Sequence, residues 1–338
     1  MRHPILFLAI MLLLGGCAPS AEGLFTDYTG RLQQVLSVDT VPMAPMAPLN
    51  LPRSRDLQQN EDALRVTPLA YWNLRHCDLF QLISERNSSL GRVQAANTRW
   101  RYESEVLRAI AHCLSHPNTN EGQREQLLQW QQQKQALWPQ AIWQGTIASP
   151  EFRQFWSADA SGWPPSRMPS MSQALQDLST MANWAERWPE SDFPDQDAFF
   201  DVYQRLGQQN LGGQWLRSVQ ISRAGLQAAT QMLEAAVATA RICPAGQPTR
   251  NAENARNVLT LVFVGDIQPY ISELNRHGQQ LLGHLQTLTN ATQLEHSGWQ
   301  SFIKSLEQQQ VGLQQDTREH AERWQNLLDQ CGLSIMTS

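Results

Sequence analysis

Residues 258–264, Val258-Leu259-Thr260-Leu261-Val262-Phe263-Val264, decide the fold class, because this β-branched and aromatic run passes for a strand. No second strand-like run is present to pair with it, and a lone strand is not a stable sheet. The flanks settle the reading. Helical spacing extends from Asn251 to Leu288, so the run belongs to a helical region that Gly265 and Pro269 divide in two or kink. Gln214 to Ile242 precedes it as a long amphipathic run. Gly298 to Gln330 follows, with Trp299, Phe302, Ile303, Leu306, Leu313, Trp324, Leu327 and Leu328 on its inner side. These three segments are expected to pack up, down and up in an all-α, elongated helical bundle.

The first half reads as shorter helices with more breaks. Phe25, Tyr28, Leu32, Val35 and Leu36 recur at helical spacing, and Pro42, Pro45, Pro48 and Pro52 then impose an extended segment, either a spacer or a strap over the bundle. Thr67-Pro68 caps a helix expected to run to about Arg86 with Leu69, Trp72, Leu79, Leu82 and Ile83 as its buried stripe. Further helices are expected from about Thr98 to Leu114, from Glu121 through Trp138 with a kink or break at Pro139, and from Ser149-Pro150 over Phe152, Phe155 and Trp156. Ser170 to Trp188 and Gln196 to Gln209 follow, the former with Ser170 and Gln173 in capping-box register. Gly212-Gly213 is read as a loosened junction. Composition does not shift near residue 190, so residues 24–338 are expected to form one helical domain, divisible at most into sub-bundles 24–190 and 191–338.

A chain of 338 residues with 41% hydrophobic side chains can bury a substantial core without metals or dense disulfides. The formal charge of −5, with no run of like charges, argues against gripping nucleic acid, which needs a basic stripe. Lysine is used only at Lys134 and Lys304, while forty glutamines supply the polar faces.

The N-terminus reads as an address rather than as fold. Arg2 and His3 precede an apolar run, Ile5 to Leu14, too short to span a bilayer but suited to a secretory signal over residues 1–16. It ends in Leu14-Gly15-Gly16-Cys17, which resembles the lipobox of bacterial lipoproteins. That resemblance implies cleavage before Cys17, acylation of its thiol and new amino group, and a lipidated tether over 17–23. Ala18, in place of the aspartate that retains such proteins in the inner membrane, implies the periplasmic side of the outer membrane. The expected partners are the membrane, through the anchor, and an unidentified envelope protein.

Four cysteines remain, and an even count in an oxidising compartment reads as two disulfides among three possible pairings. Cys77–Cys113, closing a helix–turn–helix, and Cys243–Cys331, joining the ends of two long helices, are the favoured pairs. No Cys-x-x-Cys occurs to support a redox or zinc site. His112 and His116 have metal-pair spacing, but no acidic third ligand lies nearby in sequence and Pro117 ends the helix, so capping histidines are the better reading and no metal or cofactor is expected.

Cys77, the run Glu85-Arg86-Asn87-Ser88-Ser89-Leu90-Gly91, Tyr102-Glu103 and Cys113 resemble the N-terminal signature of a family of Gram-negative lipoproteins catalogued as domain of unknown function 3080. Asn257-Val258 and Gln268-Pro269-Tyr270 resemble its second recurring block. The resemblance implies location and a helical fold over most of the chain, and no activity.

Glu85, Arg86, Asn87, Ser88 and Ser89, with Tyr102 and Glu103, are the densest polar constellation. As a ligand site, Arg86 is the anion fork, Asn87 and Ser88 hydrogen-bond the ligand and Glu85 is a base, the basis for an envelope hydrolase or small-ligand binder. As structure, Asn87 ends a helix, Ser88 caps the next segment and Arg86 pairs with Glu103, and this second reading is preferred. Ser301 and Lys304 have Ser-x-x-Lys spacing without its companion motifs, and His277 and His284 lie too far apart along a helix to share a metal. Trp130, Trp138, Trp143, Trp156, Trp163, Trp184 and Trp188 are candidates for a sugar or lipid groove, but aromatics at helical spacing are more often core. No phosphate loop, nucleophile elbow or His-Glu-x-x-His occurs, so nothing positive marks an enzyme and the leading expectation is a non-catalytic envelope lipoprotein.

Overall fold

The computed structural model describes residues 20–46, 48, 51–58, 66–89, 91, 95–158, 162–165, 171–187, 194–239 and 241–333, and the described residues contain helices and no strand. The signal segment, Cys17, Ser170 and Trp188 lie outside them. The helices are α1 Ala21–Leu36, α2 Ser54–Leu57, α3 Pro68–Trp72, α4 Leu79–Asn87, α5 Ala96–Ser115, α6 Glu121–Gly145 and α7 Pro150–Phe155. After them come α8 Met171–Arg187, α9 Gln196–Gln208, α10 Leu211–Thr239, α11 Arg250–Val258, α12 Gln268–Thr292 and α13 Ser297–Gln330. Within residues 258–264, Val258 closes α11 and the rest is neither strand nor α-helix. Leu259–Ile267 is a π-helical segment that joins α11 to α12 without a break, so Gly265 and Pro269 sit inside one long rod, Pro269 in the first turn of α12.

The long helices form the expected up–down–up set. Arg223–Asp316 and Arg323–Glu234, at 2.8 and 2.7 Å, advance together along α10 and α13, so those two are parallel. Gln310 reaches Asn275 while Trp299 reaches Thr289, so α12 runs the other way. Disulfides Cys77–Cys113 and Cys243–Cys331 are both present, with Cα atoms 5.7 and 5.1 Å apart. The second closes the end where α10 and α13 finish. Cys243 and Cys331 are themselves buried in the main core.

α1 is part of this bundle rather than an appendage to it. Ser20 accepts from the Gly23 N–H as N-cap, and Ala21, Phe25, Tyr28 and Leu32 are fully buried. Within the segment 17–23 expected to be a tether, residues 21–23 are already helical, because Ser20 caps the helix. The ring of Phe25 lies where a Cβ on Gly225 of α10 would be, and this close approach explains a glycine in mid-helix. The proline-rich stretch is a strap. Val41, Met43, Met46 and Leu51 pack on the core, Arg153 donates to the Pro52 carbonyl at 2.8 Å, and Trp143 donates to the Leu57 carbonyl at 2.6 Å.

Two expectations need correction. The helix expected from Thr67 to Arg86 is two helices, α3 and α4, separated by turns over Asn73–Asp78 that bring Cys77 to its bridge. Leu69 and Trp72 are consequently 71% and 57% exposed, not a buried stripe. Gly212-Gly213 is no junction but lies within α10, because a side chain at Gly213 would strike the Ser157 carbonyl and one at Gly212 the rings of Phe155 and Trp156. The main core contains residues from both sides of residue 190, among them Phe152, Phe199 and Trp299. The smaller second core instead comprises Leu74, Leu79, Val106, Ile110, Cys113, Leu127 and Trp130. α6 passes through Pro139 without ending, starting from an Asn120–Gln123 capping box.

Candidate functional site

The polar constellation of the sequence does come together in space. α4 ends at Asn87, and Ser88 Oγ donates to the Glu85 carbonyl at 2.6 Å while accepting from the Gly91 N–H at 3.0 Å. The Arg86 guanidinium donates to the Gly91 carbonyl, and Gln81 donates to Glu85 Oε1 at 2.9 Å. Glu85, Arg86, Ser88 and Gly91 therefore close a helix terminus and its turn, with Asn87 and Ser89 exposed beside them. Tyr102, across on α5, is largely buried. Its phenol is pushed well above the ordinary range by burial first and by Glu103 second, with Arg86 and Arg99 acting the other way.

Glu103 does not pair with Arg86 as expected. Its partner is Lys134 of α6, at 2.5 Å, in a pair where Lys134 is only 9% exposed and Glu103 is partly buried. Two oppositely charged groups facing each other in a low dielectric hold α5 to α6.

Residues 25–335, most of the chain, match a family described as protein of unknown function (DUF3080). The chain belongs to this family. No curated protein and no solved structure matches it. In this DUF3080 protein the segments that carried the N-terminal part of the resemblance lie together, while Asn257-Val258 and Gln268-Pro269-Tyr270 stand apart on α11 and α12. Cys77 is bridged to Cys113, and the turn at 85–91 closes the helix facing Tyr102 and Glu103. The signature therefore encodes the construction of the α4–α5 hairpin. Among the described residues, Glu85, Arg86 and Ser88 of this signature have hydrogen-bond partners within the turn and α4.

A second polar cluster escaped the sequence reading. His320 of α13 is fully buried, with Tyr28 Oη at 2.7 Å from Nε2 and Thr230 Oγ1 at 2.9 Å from Nδ1. Trp324 Nε1, a donor only, lies 2.8 Å from Tyr28 Oη. The indole donates to the phenol, the phenol donates to Nε2, and the imidazole proton then sits on Nδ1 and is given to Thr230. Burial pushes His320 down to about 3 and Tyr28 far up, so both are neutral. Phe263 of the π segment covers the imidazole, ring centroids 4.8 Å apart. One signal was available beforehand: His320 stands four residues before Trp324, on the same inner face of the last helix.

The remaining candidates resolve as structure. His116 caps α5 and accepts from the Asn118 N–H at 3.2 Å, and His112 is exposed. His277 is buried edge-to-face against Trp163, its Nε2 2.8 Å from the Arg276 guanidinium, and burial lowers its pKa, as it does for His284. Ser301 and Lys304 are both exposed on α13. Trp130, Trp138, Trp143, Trp156 and Trp163 are buried in core and Trp184 stacks on Phe199, and of these indoles Trp138 also borders a surface cleft. Two shallow clefts meet at Asn290 and Gln293 beside the C-terminus of α12, with Glu186 in one and Lys304 and Glu307 in the other.

Proposed function

We propose that this protein is a lipoprotein of the bacterial envelope, tied through Cys17 to the periplasmic face of the outer membrane. On this reading it is a non-catalytic helical body that presents a surface to an envelope partner. The observation that carries the reading is the pair of disulfides, one from the turn before α4 to α5 and one from the segment after α10 to the end of α13, in a fold that already owns a large core: such bridges belong to an oxidising compartment rather than to a fold too small to hold itself. The apolar run ending in Leu14-Gly15-Gly16-Cys17 supplies the route there and the point of attachment. That Glu85, Arg86 and Ser88 are taken up in closing a helix end favours a surface role over the hydrolase or ligand-binder alternative.

The test is Cys17→Ala expressed in a Gram-negative host. Wild type is expected to incorporate labelled fatty acid and to sediment with outer membranes. The variant is expected to lose the label and leave the membrane fraction; membrane retention of an unlabelled variant overturns the anchor.

A further inference from the structure

The π segment leaves Leu261 and Val264 69% and 42% exposed on its outer side, with Thr260 and Gly265 exposed around them. Leu69 and Trp72 on α3 are an exposed apolar pair of the same spacing, but Leu261 and Val264 differ in lying on a π turn, and π turns concentrate where a helix has a task besides packing. The segment lies against α1: the Tyr28 and Phe263 rings stack with centroids 6.1 Å apart, and Asp266 is near enough to Arg31 to add to the rise in its pKa.

What can cover this pair follows from where the chain is tied, and here the argument rests on the lipid-anchor reading above. Cys17 precedes the N-cap Ser20 by three residues, which reach about 10 Å even when fully extended. Tyr28 stands about 10 Å further along α1. A bundle held on so short a leash keeps the neighbourhood of α1 close to the bilayer. The charges nearest the pair along its own rod are Arg256 and Asp266, the latter near the Asp27–Arg31 ion pair at 2.7 Å, so among the described residues no basic cluster there offers an electrostatic grip on anionic lipid.

We infer that Leu261 and Val264 form a second, apolar contact with the lipid surface that carries the Cys17 anchor, inserting between headgroups and fixing which side of the bundle faces away from the membrane. The contact is hydrophobic, so it needs no anionic lipid and is insensitive to salt.

The experiment uses the full acylated chain reconstituted into phosphatidylcholine vesicles. A nitroxide is attached through Leu261→Cys or, as control, through Leu69→Cys, an equally exposed apolar position on α3. Relaxation by oxygen relative to a water-soluble nickel chelate is expected to be several-fold higher at position 261 than at 69. Equal ratios overturn the inference. In a second measurement, Leu261→Glu with Val264→Glu, both outside the core, is expected to speed transfer of the acylated protein between vesicles by about tenfold, the factor equivalent to about 1.4 kcal/mol of lost apolar contact. Unchanged transfer overturns the inference as well. Failure of the anchor reading is distinct: the wild-type chain would then not be acylated and would not float with vesicles at all.

Discussion

Acidification should destabilise the bundle through His320, and the effect can be isolated. In the fold this imidazole is neutral with a pKa lowered to about 3, whereas in the unfolded chain it takes its ordinary value of 6.5. Between those values the unfolded state binds a proton that the native state refuses, so stability rises with pH and is lost as pH falls from 6.5 toward 3. The slope for one such group is about 1 kcal/mol per pH unit, or about 2 kcal/mol of stability lost between neutrality and about pH 5. His277 and His284 shift in the same direction, so total pH dependence is not diagnostic. The diagnostic quantity is the gap between wild type and His320→Gln. At neutral pH the variant should be weaker by about 1 to 3 kcal/mol, because Tyr28, Thr230 and Trp324 lose well-placed partners. At about pH 5 the gap should shrink by about 2 kcal/mol, since only wild type carries the titrating group. Urea unfolding followed by tryptophan fluorescence at the two pH values measures both gaps. A gap independent of pH refutes the description of a buried neutral imidazole.

Three further outcomes follow from the packing. Lys134→Met strands the Glu103 carboxylate inside the α5–α6 interface and should cost about 3 kcal/mol in urea unfolding, with Glu103→Leu restoring much of that when the two are combined. Cys243→Ser with Cys331→Ser removes a bridge between residues 88 apart, and the loop-entropy account puts the loss at about 4 kcal/mol, read as a lower Tm. Asn87→Ala with Ser88→Ala should lower stability by about 1 kcal/mol through the turn at the end of α4 while leaving any cellular function intact. Complementation that fails with the protein still folded would instead favour a ligand site there.

Much of the fold was legible because helical spacing and caps are local signals. Ser149-Pro150 opens α7 with the Ser149 hydroxyl accepting from the Phe152 N–H, and Asn120 opens α6 with a capping box. The cysteine pairing was legible because it agreed with the order of the long helices. What misled was information carried by partners far away in sequence. Gly212 and Gly213 look like a flexible joint until Phe155, Trp156 and Ser157 are seen pressing on them. Trp72 looks like core until the turn before Cys77 rotates α3 outward. Val258 to Val264 was correctly denied a strand, but a π segment has no pattern of its own, since its wider turn answers to Tyr28 and His320 on two other helices. The candidate site followed the same division: the residues of the α4–α5 hairpin were named in advance, and the partner of Glu103 was not, because Lys134 lies on a third helix.

The central claim is a helical body lipidated at Cys17 and bridged twice in an oxidising compartment. It is tested most directly by intact-mass and non-reducing peptide analysis of the protein purified from its own membranes. The account predicts a chain beginning at a triacylated Cys17, with Cys77 joined to Cys113 and Cys243 to Cys331. A chain beginning at Met1, without lipid and with four free thiols, would contradict it.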